Sequence, residues 1–105
     1  MQKALLVVRA EIPDPPDRAA FDTWYQTEHL VDALEAFQAE RAWRCWSKTE
    51  PAVHYAFYQL DNVAAAEAVL KSSGIRPLIA EFDRVWGSRA TRTRDILDVM
   101  QALPN

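Results

Sequence analysis

Short apolar runs mark the places where this chain is expected to form strands. Two of them, residues 3–12 and 53–60, are almost continuously apolar and are bounded by turn residues. Runs of this length are typical of strands that are covered on both faces. Two weaker extended segments follow the same logic, residues 39–49 and 91–100, although the stretch 94–102 also fits a helix. The pattern therefore predicts four strands.

Apolar positions at helical spacing fill the two regions between these strands. In the first region Asp14 is a suitable N-cap, and Pro15 suits the first helical position. This helix carries a stripe of Phe21, Trp24, Tyr25 and His29 and continues or bends toward Phe37. A second helix is expected after the Asp-Asn pair at 61–62, and a third begins at about Pro77 and ends at Gly87.

The resulting order, β-α-β-β-α-(α)-β over residues 1–105, is a ferredoxin-like α+β domain. Its helices cover one face of a four-stranded antiparallel sheet. Because the first and third strands are apolar on both faces, the second face also needs cover. We therefore predict a homodimer in which two sheets pair face to face.

Composition narrows the class of partners. The 105 residues carry a formal net charge of −3, and half of them are hydrophobic. The densest basic stretch, Arg84 to Arg94, is bracketed by Asp83 and Asp95 and is interpreted as a solvated strand edge. No nucleic-acid partner is expected, since such proteins need a clustered positive surface.

Cysteine usage and the N-terminus point to the cytoplasm. Cys45 is the single cysteine, which excludes a disulfide framework and a cysteine zinc cluster. It is expected to be a small buried hydrophobe. The apolar stretch at residues 4–8 is too short for a signal sequence or a membrane span, so no membrane partner is expected.

Candidate chemistry centres on the segment after the first strand. On an α-helix, Tyr25, His29 and Asp32 fall at i, i+4 and i+7 and share one face. A histidine titrates near neutral pH, a neighbouring carboxylate can fix its tautomer, and a phenol can bind an oxygen. This set suits general acid–base chemistry on a carbonyl or enol. A histidine that only stabilises a helix terminus is the alternative interpretation.

The motif Tyr25-x-x-Glu28-His29-Leu30 resembles the EthD-like branch of the dimeric α+β barrel superfamily. Many members of that branch have proline where this chain has Val31. The resemblance implies a pocket between sheet and helices with His29 at its mouth or floor. Relatives include enzymes that cyclise, isomerise or oxidise polyketide-like, aromatic or lactone substrates, often without metal or flavin. Only His29 and Tyr25 match residue by residue.

Five further residues are candidates for ligand binding. Arg9 interrupts an apolar strand and needs an anionic partner, for which an internal ion pair is favoured over a ligand. His54 alternates with Tyr58 on one strand face, and a satisfied core histidine is the favoured interpretation. Trp24 and Trp46 suit a flat aromatic pocket, although core packing explains such residues more often.

Metal and cofactor binding have little support in the sequence. The two histidines, His29 and His54, are not accompanied by a recognised ligand motif, and no glycine-rich phosphate loop is present. The first hypothesis is a cofactor-independent enzyme for a small hydrophobic, oxygenated substrate. His29 would transfer the proton, Asp32 would orient it, and Tyr25 or Arg9 would bind the oxyanion. The alternatives are a non-catalytic ligand-binding protein and a structural dimer without ligand.

Overall fold

The computed structural model describes residues 2–104, which form the predicted order of elements. The strands are β1 (Ala4–Glu11), β2 (Arg41–Trp46), β3 (Val53–Leu60) and β4 (Thr91–Asp98). The helices are α1 (Pro15–Trp24), α2 (Leu30–Phe37), α3 (Val63–Lys71) and α4 (Ile75–Trp86). A π-helical turn, Tyr25–His29, joins α1 to α2. The last segment is a strand, as predicted, and its helical alternative is wrong.

The four strands form one antiparallel sheet in the order β2-β3-β1-β4. Val8 in β1 lies opposite Ala56 in β3 on one side and Arg94 in β4 on the other. Two edge strands therefore flank the long apolar pair at the centre. The predicted ferredoxin-like α+β fold is confirmed.

Capping residues set most helix boundaries where the sequence predicted them. Asp14 occupies the N-cap of α1 without a side-chain hydrogen bond, and the Asn62 side chain accepts one from the Ala65 N–H at 2.8 Å. Gly87 ends α4 with a positive φ of 53°. The start of α4 at Ile75, ahead of Pro77, is earlier than expected because the first helical turn tolerates a proline. No helix within residues 2–104 has the length and apolarity needed to cross a membrane.

The helices cover one face of the sheet, and an aromatic cluster fills the space between. Residues of β1 and β3 that point to this face are buried, among them Leu6, Val8 and Tyr58. Phe21 lies at the centre, with ring centroids 5.1 Å from Trp86 and 5.3 Å from Tyr25. This layer positions the candidate site, since both histidines lie in it.

The opposite sheet face carries apolar side chains that no helix within residues 2–104 covers. These side chains are Leu5, Val7, Trp43, Tyr55, Phe57 and Leu97, and we call this surface the open face. Trp43 and Phe57 stack on it with centroids 5.5 Å apart. Cys45 also lies here and is exposed, so its predicted burial within the chain is wrong. Strand alternation explains this, because Cys45 points away from the side that Trp46 occupies.

Candidate active site

A π-helical turn shapes the segment that carries His29. The Leu30 N–H donates to the Tyr25 carbonyl, a hydrogen bond that spans five residues instead of the four of an α-helix. Trp24 and His29, five residues apart, consequently lie over one another. Their rings stack with centroids 4.4 Å apart and planes 20° apart. Single π turns inside helices frequently occur at functional sites.

Aromatic rings enclose His29 and keep its imidazole neutral. The Tyr25 ring meets the imidazole edge-on, with 4.8 Å between ring centroids. Only 8% of His29 is exposed. Burial, and then the positive charge of Arg92, lower the pKa of His29 to about 4, while Glu81 acts in the opposite direction. At neutral pH the ring is therefore uncharged, with one nitrogen free to accept a proton.

The two buried tyrosines behind His29 remain protonated. Burial raises the pKa of Tyr25 to about 12, and the Tyr58 hydroxyl opposes this shift. Burial also raises the pKa of Tyr58. Both phenols are therefore hydrogen-bond donors at neutral pH. Tyr25 lies beneath the imidazole and does not line either of the spaces described next.

Two spaces meet at His29. The outer groove, between α1–α2 and α4, has a volume of about 410 Å³ and is lined by Trp24, Glu28, His29, Asp32, Leu78 and Glu81, among others. The inner cavity, between α4 and the sheet, has a volume of about 20 Å³ and includes Val8, His29, Tyr58, Leu78, Arg92 and Arg94 in its lining. The groove has the size of a small-molecule site, whereas the cavity has room for about one water molecule. His29 and Leu78 line both.

Two arginines of β4 face the inner cavity. Arg92 lies 4.0 Å above the Phe82 ring centroid, and its Nη1 is 3.1 Å from Asp83 Oδ1. Arg94 keeps part of its surface in solvent, yet burial of the rest and the charge of Arg92 lower its pKa. The interpretation of this basic stretch as a solvated strand edge is wrong for Arg92, whose side chain is only 13% exposed, whereas Arg94 is exposed. Their alternation with the inward-facing Ile96 was a signal in the sequence that they point to the helices.

Asp32 lies on the rim of the outer groove, but it does not contact the imidazole. Within residues 2–104, no hydrogen bond or ion pair joins it to His29. The predicted orienting contact is absent because His29 is buried against the aromatic rings, whereas Asp32, three residues further on, is exposed. Its proximity to the groove remains compatible with a ligand contact.

Arg9 lies on the open face, on the other side of the sheet from His29. In the sheet, Arg9 lies opposite Tyr55 of β3 and Thr93 of β4. Its guanidinium nitrogens are 3.6 Å from a carboxylate oxygen of Glu11 and 3.6 Å from one of Glu50. The ion-pair interpretation is therefore the one that the structure supports. Its predicted role as oxyanion partner of His29 in the same chain is wrong, because the sheet separates the two side chains.

His54 is part of a second polar cluster beyond Tyr25. It is fully buried with its ring centroid 4.5 Å from Tyr25, and Arg44 Nη1 is 3.4 Å from its Nε2. Asp22 accepts hydrogen bonds from Arg44 at 2.6 Å and from Trp46 Nε1 at 2.8 Å. The Nδ1 atom of His54 has no hydrogen-bond partner within residues 2–104.

The predicted binding residues thus separate into two groups. Trp24 lines the outer groove and Tyr58 lines the inner cavity, next to His29. His54 and Trp46 pack against one another at 4.9 Å between centroids and line neither space. No group of three or more potential metal ligands occurs among residues 2–104.

Comparison with known proteins gives matches in structure and none in sequence. No family model matches the chain, and no curated protein matches it in sequence. SnoaB of Streptomyces nogalater, a cofactor-independent oxygenase, matches over 100% of both chains with a TM-score of 0.66 at 14% identity. An EthD family protein of Bacillus halodurans matches over 90% of this chain and 97% of its own, with a TM-score of 0.63 at 14% identity. A dimeric ferredoxin-like protein from an uncultured marine organism matches over 98% of this chain and 100% of its own, with a TM-score of 0.58 at 15% identity.

The chain shares the ferredoxin-like fold of these proteins, one of which is an EthD family protein. The expected structural similarity to an EthD family protein is confirmed. At identities this low a structural match establishes the fold alone, and the chemistry of the site has to be argued from its own residues.

Proposed function

We propose that this protein is a cofactor-independent enzyme that moves a proton on a small, apolar, oxygen-bearing substrate, with His29 as the acid–base residue. The observation that carries the proposal is the neutral imidazole at the junction of a groove and a positively charged cavity. A general base must be unprotonated and within reach of its substrate. His29 meets the first condition at neutral pH, and the groove provides the second.

The first step is removal of a proton from a carbon next to a carbonyl group. The proton moves to the free imidazole nitrogen, and the electron pair of the broken C–H bond moves to the carbonyl oxygen, which becomes an enolate. Arg92 and Arg94 supply positive charge beside the imidazole. The enolate is then stabilised where it forms.

Isomerases, cyclases and cofactor-independent oxygenases can share this step. In an isomerisation or a cyclisation, the imidazolium returns its proton to another atom of the same molecule. In an oxygenation, molecular oxygen is the oxidant that reacts with the enolate. The fold shared with SnoaB, a cofactor-independent oxygenase, supports including the third reaction.

Deuterium exchange tests the shared step directly. The protein is incubated in D₂O with a panel of 1,3-diketones and anthrones, and NMR follows loss of the acidic C–H signal. We expect His29→Gln to slow exchange by roughly 10²–10⁴-fold, the usual contribution of a general base. Glu67→Gln, an exposed change on α3 that lines neither space, is the control and should retain the rate. Equal exchange rates in wild type and His29→Gln would contradict the proposal.

A non-catalytic binding protein is the second candidate. The small volume of the inner cavity, about 20 Å³, favours it, because a substrate in the outer groove alone would touch His29 at one edge. In that case a panel compound binds, His29→Gln weakens its binding, and no exchange above the solvent rate occurs. Binding and exchange measured on the same compound separate the two functions.

We also propose that two copies pair through the open face. Trp43, Phe57 and Leu97 leave apolar surface there that soluble monomers seldom expose. The described helices lie on the opposite side, so a second copy is the simplest cover. The dimeric ferredoxin-like neighbour supports this arrangement.

A further inference from the structure

The two walls of the outer groove are single helical faces. One wall runs from His29 along α2 to Ala36, and the other runs from Gly74, the N-cap of α4, to Glu81. On each wall the lining residues recur at helical spacing, so that they lie on one side of their helix. The groove is therefore a slot between two helices.

Contacts at both ends show that the two walls are antiparallel. At one end, the rings of Trp24 and His29 lie beside Phe82 of α4, with centroids 5.7 Å and 6.0 Å from its ring. At the other end, a Cβ added to Gly74 would lie 3.4 Å from the Ala36 carbonyl oxygen, which is van der Waals contact. The two backbones meet there and close the slot. We call Ala36 and Gly74 the end wall.

The length of the slot follows from helix geometry. Ala36 follows His29 by seven positions, and Glu81 follows Gly74 by seven. At a rise of about 1.5 Å per residue, each wall extends about 10 Å. The volume of about 410 Å³ is that of a small-molecule site. A ligand whose reacting end lies at His29 therefore has about 10 Å of slot before it reaches the end wall.

Small residues form the end wall, although the fold does not require them. Gly74 has φ −66° and ψ −26°, a right-handed helical conformation that is open to residues with a side chain. Ala36 is exposed on α2, where a larger side chain is compatible with the helix. Both residues line the slot, so a larger side chain at either position would occupy its closed end. Their size thus determines where the slot ends.

His29 supplies an independent reason to expect a ligand in this slot. Only 8% of the residue is exposed, and no hydrogen bond within residues 2–104 engages its ring nitrogens. Buried polar groups normally have a hydrogen-bond partner. Because His29 lines the slot, a polar group of a ligand can supply that partner.

We propose that Ala36 and Gly74 determine the specificity of this site by limiting the apolar body of its ligand to about 10 Å beyond the group that binds His29. The ligand class is a polar, oxygen-bearing head with one apolar body that fills the slot lengthwise. Trp24, Pro77 and Leu78 make the slot apolar, so the part of the body within it contributes to affinity and any part beyond it stays in water. This inference rests on the proposed site at His29, although it does not depend on turnover.

Calorimetric titration of the full chain with a series of rigid probes tests the proposal. The probes are benzoylacetone and its biphenyl and terphenyl analogues, which share the 1,3-diketone head and carry one, two and three rings in line. In wild type we expect the second ring to strengthen binding at least roughly tenfold, because it is buried in the slot, and the third ring to add little. Ala36→Leu should bind the one-ring probe as wild type does and lose most of the gain from the second ring.

Two further variants make the result specific. Ala64→Leu changes an exposed alanine of α3 that lines neither space and should behave as wild type. Gly74→Ala adds a single methyl group to the end wall and should reduce the gain from the second ring in the same direction, by less than Ala36→Leu does.

Several results would overturn the inference. These are a further tenfold gain from the third ring in wild type, an undiminished gain from the second ring in Ala36→Leu and Gly74→Ala, an equal loss of affinity for all probes, or no binding at millimolar concentration. A failed deuterium-exchange test with the ring pattern intact would remove the proposed chemistry and leave the length limit standing. Exchange without the ring pattern would do the reverse.

Discussion

Trp24 and His29 stack face to face, with ring centroids 4.4 Å apart, because a π-helical turn separates them by five residues. In a regular α-helix, residues five apart point in different directions. The turn therefore does two things at once. It places an indole over the imidazole, which excludes water, and it directs the imidazole to the junction of groove and cavity.

Removing the indole should restore the basicity of the histidine. In Trp24→Ala, water reaches the imidazole, and we expect the pKa of His29 to rise from about 4 toward its ordinary value near 6.5. The same variant should lose about 3–5 kcal/mol of unfolding free energy, the usual cost of removing a buried Trp. Trp43→Ala, on the open face, is the control and should leave the pKa unchanged. NMR titration distinguishes these outcomes.

Stability should fall as the pH drops below 6.5. The pKa values of His29 and His54 are both lowered to about 4 in the folded protein, mainly by burial, from an ordinary value of 6.5. Between these values the unfolded chain binds protons that the folded chain does not, so acid favours unfolding. Each histidine contributes up to roughly 3 kcal/mol, fully present above pH 6.5 and lost by about pH 4.

Urea unfolding at pH 7.5, 6 and 5 measures this dependence. His29→Gln and His54→Gln should each flatten it by about one half. Carboxylates such as Glu40, whose pKa is lowered by a hydrogen bond from Lys3, titrate at more acidic pH. They therefore contribute little to the change in stability between pH 7.5 and 5. A wild-type stability that is constant from pH 7.5 to 5 would exclude two buried neutral histidines.

The second polar cluster should stabilise the fold modestly. Asp22 accepts hydrogen bonds from Arg44 and Trp46, and these lower its pKa. Because its side chain is 40% exposed, we expect Asp22→Asn to cost only about 1 kcal/mol, or about 4–8 °C in Tm. Losing the carboxylate charge should also lower the pKa of His54 further. Calorimetry with Glu67→Gln, an exposed acid on α3, as control checks the Tm difference.

The open face predicts self-association. We expect the wild-type chain to sediment at about twice its 12.0 kDa mass at micromolar concentration. Phe57→Asp places a charge in the centre of this face and should yield a monomer. Leu70→Asp changes an exposed apolar residue of α3, away from the face, and should stay dimeric. A wild-type monomer would contradict the pairing.

The strands were predictable because runs of apolar residues between turn residues indicate which segments are buried. β3 begins and ends at the predicted residues, 53 and 60, since an apolar run bounded by turn residues has few other solutions. The same reasoning predicted the mismatch between one layer of helices and two apolar sheet faces. The burial of Cys45 was wrongly predicted because its position in β2 points to the open face, which no helix within residues 2–104 covers.

The site was less predictable, because it depends on contacts between distant segments. The π turn forms where Trp24 and Tyr25 pack on Phe82 and His54, and helical spacing alone does not reveal it. Both faces of β1 are apolar, so alternation did not show which face Arg9 occupies. For Arg94, alternation with Ile96 did carry that information.

NMR titration of the His29 ring protons in the free wild-type protein measures most directly whether this histidine is a neutral proton acceptor. Burial between Trp24 and Tyr25, together with the nearby arginines, predicts a pKa of about 4. The chemical shifts of the ring protons should therefore change little above pH 5. A pKa near 6.5 would show a solvated imidazole outside the arginine field. That value would contradict the enclosed geometry from which the neutral imidazole is inferred.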